Sequence, residues 1–155
     1  MSKQKKSSAD HVDTHRRLLF LAMFLLSLIY ALKTSSYLID GDAKSILAIV
    51  SKVIAVIAVI TLILTVYWKL RYIPGKELYH LLNSTDSFVM SAMNGAFKTS
   101  WVLTFLLINL ILTTTSRETS AFPTEFYLNL ISFLMLASFS ISFFATFQGW
   151  VKEKN

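Results

Sequence analysis

Residues Ile54 to Val66 read IAVIAVITLILTV, a run whose only polar side chains are the hydroxyls of Thr61 and Thr65. A helix in a water-soluble bundle keeps a polar stripe toward solvent, and this run has none on any face. Widened to Ile46–Trp68, the block holds 23 residues and one charge, Lys52. A helix that crosses a bilayer needs about 20 mostly apolar residues, so the block predicts a transmembrane span.

Three further blocks of the same kind flank it. Leu18–Leu32, LLFLAMFLLSLIYAL, carries no charge and reaches spanning length when continued through Lys33 to Leu38 or Ile39. Lys33 then lifts its ammonium toward the headgroups along its own methylene stem. Thr99–Thr115 is also uncharged, and Asn109 is its most polar member. Phe122–Phe147 has Glu125 in its first turn and no charge after it. Pro123 suits that first turn, and Glu125 complements the positive helix end. The fold expected is an all-α integral membrane protein of four transmembrane helices, at about 18–39, 46–68, 99–115 and 122–147, arranged as two hairpins. A polar tail, 1–17, precedes the membrane domain, 18–147. A connection, 69–98, divides that domain, and a short tail, 148–155, ends the chain.

Composition narrows the function. Of 155 residues, 54% are apolar and 15% charged, with four glycines, two prolines and no cysteine. Disorder, collagen-like repeats and disulfide scaffolds are excluded. The segments outside the four blocks are too short for a soluble catalytic domain, since folding alone becomes marginal below about 40 residues. Without cysteine there is no thiol redox chemistry, thiolate zinc site or palmitoylation. The net charge of +6 reflects loop asymmetry, so no nucleic-acid partner is expected.

Basic residues set the expected orientation. Lys3, Lys5, Lys6, Arg16, Arg17, Lys69, Arg71, Lys76, Lys98, Lys152 and Lys154 fall on one side; Lys33, Lys44, Lys52 and Arg117 fall on the other. Both termini and the central connection are thus expected in the cytoplasm, in a plasma or bacterial-type inner membrane. Tyr67, Trp68, Tyr72, Trp101 and Trp150 mark the cytoplasmic rim; Tyr37, Phe122, Phe126 and Tyr127 mark the outer one. No Ala-x-Ala cleavage signal follows the first block, so that block is expected to stay as an anchor. The tail MSKQKKSSADHVDTHRR reads as a topology determinant, with contact to anionic lipid as its alternative.

The connection 69–98 opens with a Pro74-Gly75 turn and a short helix over Lys76–Leu82; Asn83 to Asp86 then offers caps for a second helix. Phe88, Met90, Met93 and Phe97 gather on one face of that second helix. They form either an amphipathic stretch along the headgroups that bends near Gly95, or a plain elongation of the third span. A third reading makes them a cytoplasmic face for a partner, because methionine suits adaptable surfaces.

Intramembrane chemistry is sparse. All nine acids lie outside the blocks or in a terminal turn, and His11, His15 and His80 lie outside them too. No metal site, cofactor or enzymatic activity is expected. Asp40 and Asp42 fall far short of a calcium site, which takes six to eight oxygens; their expected part is to neutralise Lys33, Lys44 or Lys52. Lys52 either snorkels or forms a buried pair or pore lining. Asn109 is expected to act as glue, with Thr113 or Asn129, at about 0.6 kcal/mol per interhelical hydrogen bond.

Small residues suggest packing seams: Ala48, Ser51, Ala55, Ala58 and Thr65 in the second span, Ser138, Ser142 and Thr146 in the fourth, and Ser27, Ala31 and Ser35 in the first. These point to a non-catalytic accessory, scaffold or regulatory component that packs with itself, as a homo-oligomer, or with another membrane protein. A homo-oligomeric pore or holin-like permeabiliser is the rival reading, and a small-solute transporter the third.

Overall fold

The computed structural model describes residues 8–73, 88–115 and 122–153. It shows four helices: α1 (Ser8–Ser35), α2 (Asp42–Tyr72), α3 (Phe88–Thr115) and α4 (Thr124–Glu153). Each contains a stretch long and apolar enough to cross a membrane: His11–Ser35, Asp42–Tyr72, Ser91–Thr113 and Thr124–Thr146. The chain has the make-up of a multi-pass membrane protein. The short helix expected at Lys76–Leu82 and the caps at Asn83–Asp86 lie outside the described residues.

Local chemistry explains the helix ends. Beyond Ser35 the chain tightens into a turn, with the Ser36 N–H donating to the Leu32 carbonyl and the Tyr37 N–H to that of Thr34. Gly41 has φ 76°, a left-handed conformation that glycine adopts without penalty. It admits α2, whose first turn carries Asp42 and whose last turn carries Lys69 and Arg71, each placed to complement the helix dipole. Ile73 is extended at the far end, as a residue before proline prefers. Pro123 stands one residue ahead of α4, and its carbonyl accepts the Phe126 N–H.

Two boundaries differ from the sequence expectation. α1 stops at Ser35 rather than continuing to Leu38 or Ile39, and it begins ten residues before Leu18, at Ser8. The stretch read as a polar tail is therefore largely helix. Its inward positions are Val12 and Arg16, both buried, followed by Phe20 at the same four-residue spacing. Apolar content alone hides such a stripe, because polar residues occupy the other faces. α3 begins eleven residues before Thr99, at Phe88, and runs unbroken through Gly95. The elongated-span reading of Phe88–Phe97 is the one that matches this helix.

The helices stand in a row, in the order α2, α1, α4, α3: α1 packs on α2 and α4, and α3 packs on α4. Neighbours run antiparallel. At the α1–α2 contact, the Trp68 Nε1–H donates to the His11 carbonyl (3.1 Å), and the His15 Nδ1–H donates to the Thr65 carbonyl (3.2 Å). Ala58, Thr61 and Thr65 form the buried stripe of α2. Three helices meet where Phe20 of α1, Ala92 and Ala96 of α3 and Phe143 of α4 close a buried cluster. The rings of Phe20 and Phe143 stack with centroids 3.6 Å apart.

The seams are partly those expected. Ala58, Thr65 and Ser27 are buried, but Ala48 and Thr146 are exposed and Ser138 and Ser142 only half-buried. The inward face of α4 belongs instead to Ala137, Ser140 and Phe143, because Phe143 must reach Phe20 and thereby turns the serine ridge to the flank.

Candidate functional site

The most distinctive surface lies beside α3. Ala92, Ala96 and Ser100, four residues apart and all buried, bring α3 close against α4, as small side chains permit. One step around the helix, Phe97, Trp101 and Phe105 stand at the same spacing and cannot enter that contact. With Met135 and Phe139 of α4 and Met23 of α1 they line a groove of about 370 Å³. The hydroxyls beside it are already used: Ser100 Oγ donates to the Met135 carbonyl (2.7 Å), and Thr104 Oγ1 to the Ser100 carbonyl (2.8 Å). The groove is consequently apolar. Its edge is aromatic, with Trp101 stacked on Phe105 at 6.0 Å and Phe97 edge-on to Phe139 at 6.4 Å.

Trp101 is the exception in this lining. It is 64% exposed, and its Nε1–H has no acceptor among the described residues. The sequence placed it at a rim. Because α3 starts early, it falls near the middle of the Ser91–Thr113 stretch; at such a depth in a bilayer an indole N–H would lack the water that satisfies it at an interface.

The two ends of the row are held by polar and aromatic contacts. At one, the His11 ring stacks on Tyr72 (4.8 Å) and lies 5.8 Å from Trp68. Arg16 is 7% exposed there, and among the described residues neither its Nη2 nor His11 Nδ1 has a hydrogen-bond partner. At the other end, the Tyr37 hydroxyl donates to Glu125 Oε2 (2.8 Å), and its ring meets Phe126 edge-on at 6.0 Å. The hydrogen bond to Glu125 raises the Tyr37 pKa above its ordinary value, because ionising the phenol would break the bond and set two anions side by side.

The residues singled out from sequence are dispersed. Lys52 is exposed on α2, and among the described residues none of Lys33, Lys44 and Lys52 forms an ion pair, with Asp40, Asp42 or any other carboxylate. Asn109 is exposed on α3, its Nδ2–H donating to its own helix at the Phe105 carbonyl (2.8 Å). It does not meet the Asn129 side chain, and Thr113 Oγ1 donates to its main-chain carbonyl (2.9 Å). With Ser100 opposite Met135, Asn109 sits level with Phe126 near the end of the span, not at its middle. The Ser138 hydroxyl donates to the Leu134 carbonyl (2.6 Å), and the Ser142 carbonyl accepts from Thr146 (2.9 Å). The Phe88 and Met90 side chains lie outside the described residues. Met93 packs against the Phe20 cluster, and Phe97 lines the groove. Among the described residues no group of histidines and acids could hold a metal ion. No family model, curated protein or solved structure matches the chain.

Proposed function

We propose that the protein is a non-catalytic multi-pass membrane component, an accessory, scaffold or regulatory subunit that packs with a second copy of itself or with another membrane protein through the groove beside α3. In this reading the four spans form two hairpins with both termini in the cytoplasm, as the distribution of basic residues favours. The observation that carries the proposal is Trp101, exposed near the middle of the Ser91–Thr113 stretch, its N–H without an acceptor among the described residues, beside an aromatic and methionine-lined groove. Such a donor is satisfied by a carbonyl or hydroxyl on an approaching helix, and methionine adapts its shape to the helix that arrives. Among the described residues α3 packs mainly on α4, so most of its circumference is left uncovered. The pore reading draws less support, since the hydroxyls of Ser138 and Thr146 bond to their own helix instead of forming a free polar lining.

The chain has no cysteine, so a single introduced thiol reports cleanly. Ile108 also lines the groove, and Ile108→Cys is expected to give a disulfide dimer or a crosslinked adduct in native membranes, which adding Trp101→Ala should weaken. Val56→Cys, on the exposed face of α2, should give much less. Equal yields at both positions, or none at either, would exclude the groove as the contact. Dye leakage on expression would instead favour the pore.

A further inference from the structure

A second pocket, polar where the groove is apolar, opens between the last turn of α1 and the first turns of α4. It has a volume of about 430 Å³ and is lined by Lys33, Ser36, Tyr37, Glu125, Leu128 and Asn129. That volume falls within the roughly 300–1,000 Å³ usual for small-molecule sites. Its two charged groups are opposite in sign, yet they form no ion pair with each other. Lys33 Nζ stands 5.9 Å above the Tyr30 ring. The Glu125 carboxylate is held by the Tyr37 hydroxyl, whose ring is in turn braced against Phe126.

The cation and the anion thus come from different helices, both lining one cavity with an amide, Asn129, beside them. Leu128 is the one aliphatic residue in the lining. The pocket sits at the ends of spanning helices, among Tyr37, Phe122 and Phe126, the depth at which lipid headgroups lie. An occupant that satisfies both charges must carry a negative group for Lys33 and a positive hydrogen-bond donor for Glu125. A bilayer presents that combination at that depth as a phosphate ester bearing a primary ammonium.

We infer that the pocket formed by Lys33, Tyr37, Glu125 and Asn129 binds a phosphoethanolamine group, its phosphate on the Lys33 ammonium and its own ammonium on the Glu125 carboxylate. The site discriminates against a choline headgroup. A quaternary ammonium has no N–H to donate, so the charge-assisted hydrogen bond to Glu125 is lost. This inference stands apart from the groove and from any partner that docks there.

The test is native mass spectrometry of the full chain released from nanodiscs of equal phosphatidylethanolamine and phosphatidylcholine content with matched acyl chains. The wild type is expected to retain the ethanolamine lipid about tenfold over the choline lipid, the size of one charge-assisted hydrogen bond. Glu125→Gln should erase that preference, lowering retention of the ethanolamine lipid more than that of the choline lipid, which loses only the Coulomb attraction. Lys33→Gln, at an exposed position, should lower retention of both lipids, and it remains informative if the Glu125 variant does not accumulate. Soluble phosphoethanolamine added at millimolar concentration separates the two sources of the group. Displacement of the lipid assigns the site to the free zwitterion as well, and failure to displace assigns it to the membrane-anchored form. Equal retention of the two lipids by the wild type overturns the inference. So does an unchanged preference in Glu125→Gln, or unchanged retention in Lys33→Gln.

Discussion

Phe20 and Ser140 are both closed off inside the packing, at 1% and 0% exposure, yet truncating them to alanine acts in opposite directions. Phe20 contacts two rings of α4, Phe143 at 3.6 Å and Phe139 at 5.0 Å, so Phe20→Ala opens a cavity where three helices meet. The expected loss is about 2–3 kcal/mol, below the roughly 3–5 kcal/mol of a water-soluble core, because lipid tails solvate apolar groups well and packing alone is forfeited. Ser140 Oγ has no hydrogen-bond partner among the described residues, so Ser140→Ala removes an unsatisfied hydroxyl and should be neutral or stabilising by about 1 kcal/mol. Reversible unfolding in mixed micelles measures both, and a destabilised Ser140→Ala would mean that its hydroxyl has a partner after all. At this scale the sequence was least transparent. Trp101 and Asn109 could be recognised as unusual, but Trp101 came to the middle of its stretch and Asn109 toward one end once α3 proved longer than its uncharged block.

The close approach of α3 to α4 depends on a stripe only three small residues long. Ala92 and Ala96 are each 1% exposed, and a branched side chain at either would force the helices apart. Ala96→Leu is expected to cost about 1–3 kcal/mol through overpacking and to lower the thermal aggregation midpoint in detergent. The exposed Phe97→Leu, one residue away, should leave the midpoint nearly unchanged. A midpoint unmoved by Ala96→Leu would show that α3 is not seated on this stripe. The seam escapes a reading of hydrophobic blocks because Ala92 and Ala96 precede the uncharged run and are separated by Asn94 and Gly95. The α2 seam was easier to read, since Ala55, Ala58, Leu62 and Thr65 lie within one unbroken apolar stretch. The α4 seam lies one face away from the serine ridge: the ridge offered small side chains at a regular four-residue spacing, but the ring of Phe143 had to face Phe20.

Across the whole molecule, the antiparallel row puts Asp40 and Lys44 at one end and Arg71 at the other, and all three are exposed. The proposed orientation makes these ends face opposite compartments. Single cysteines at Asp40 and Arg71 should therefore label differently with a membrane-impermeant maleimide. Asp40→Cys is expected to react in intact cells, and Arg71→Cys only after permeabilisation. The reverse pattern would invert the topology, and equal labelling of both in intact cells would refute the spanning arrangement.

What the amino-acid order determined by itself is the number and kind of the elements. Apolar runs of spanning length, uninterrupted by charge, leave a backbone in hydrocarbon no alternative to satisfying its own hydrogen bonds as helix. Which helix touches which, and so where the groove and the headgroup-sized pocket open, was decided only in three dimensions. The reason is that lipid-facing and helix-facing side chains are equally apolar in such a chain, so hydropathy carries no inward direction. That direction comes from shape: from alanines short enough to let α3 approach α4, and from phenylalanine rings that fit together only when α1 and α4 stand side by side.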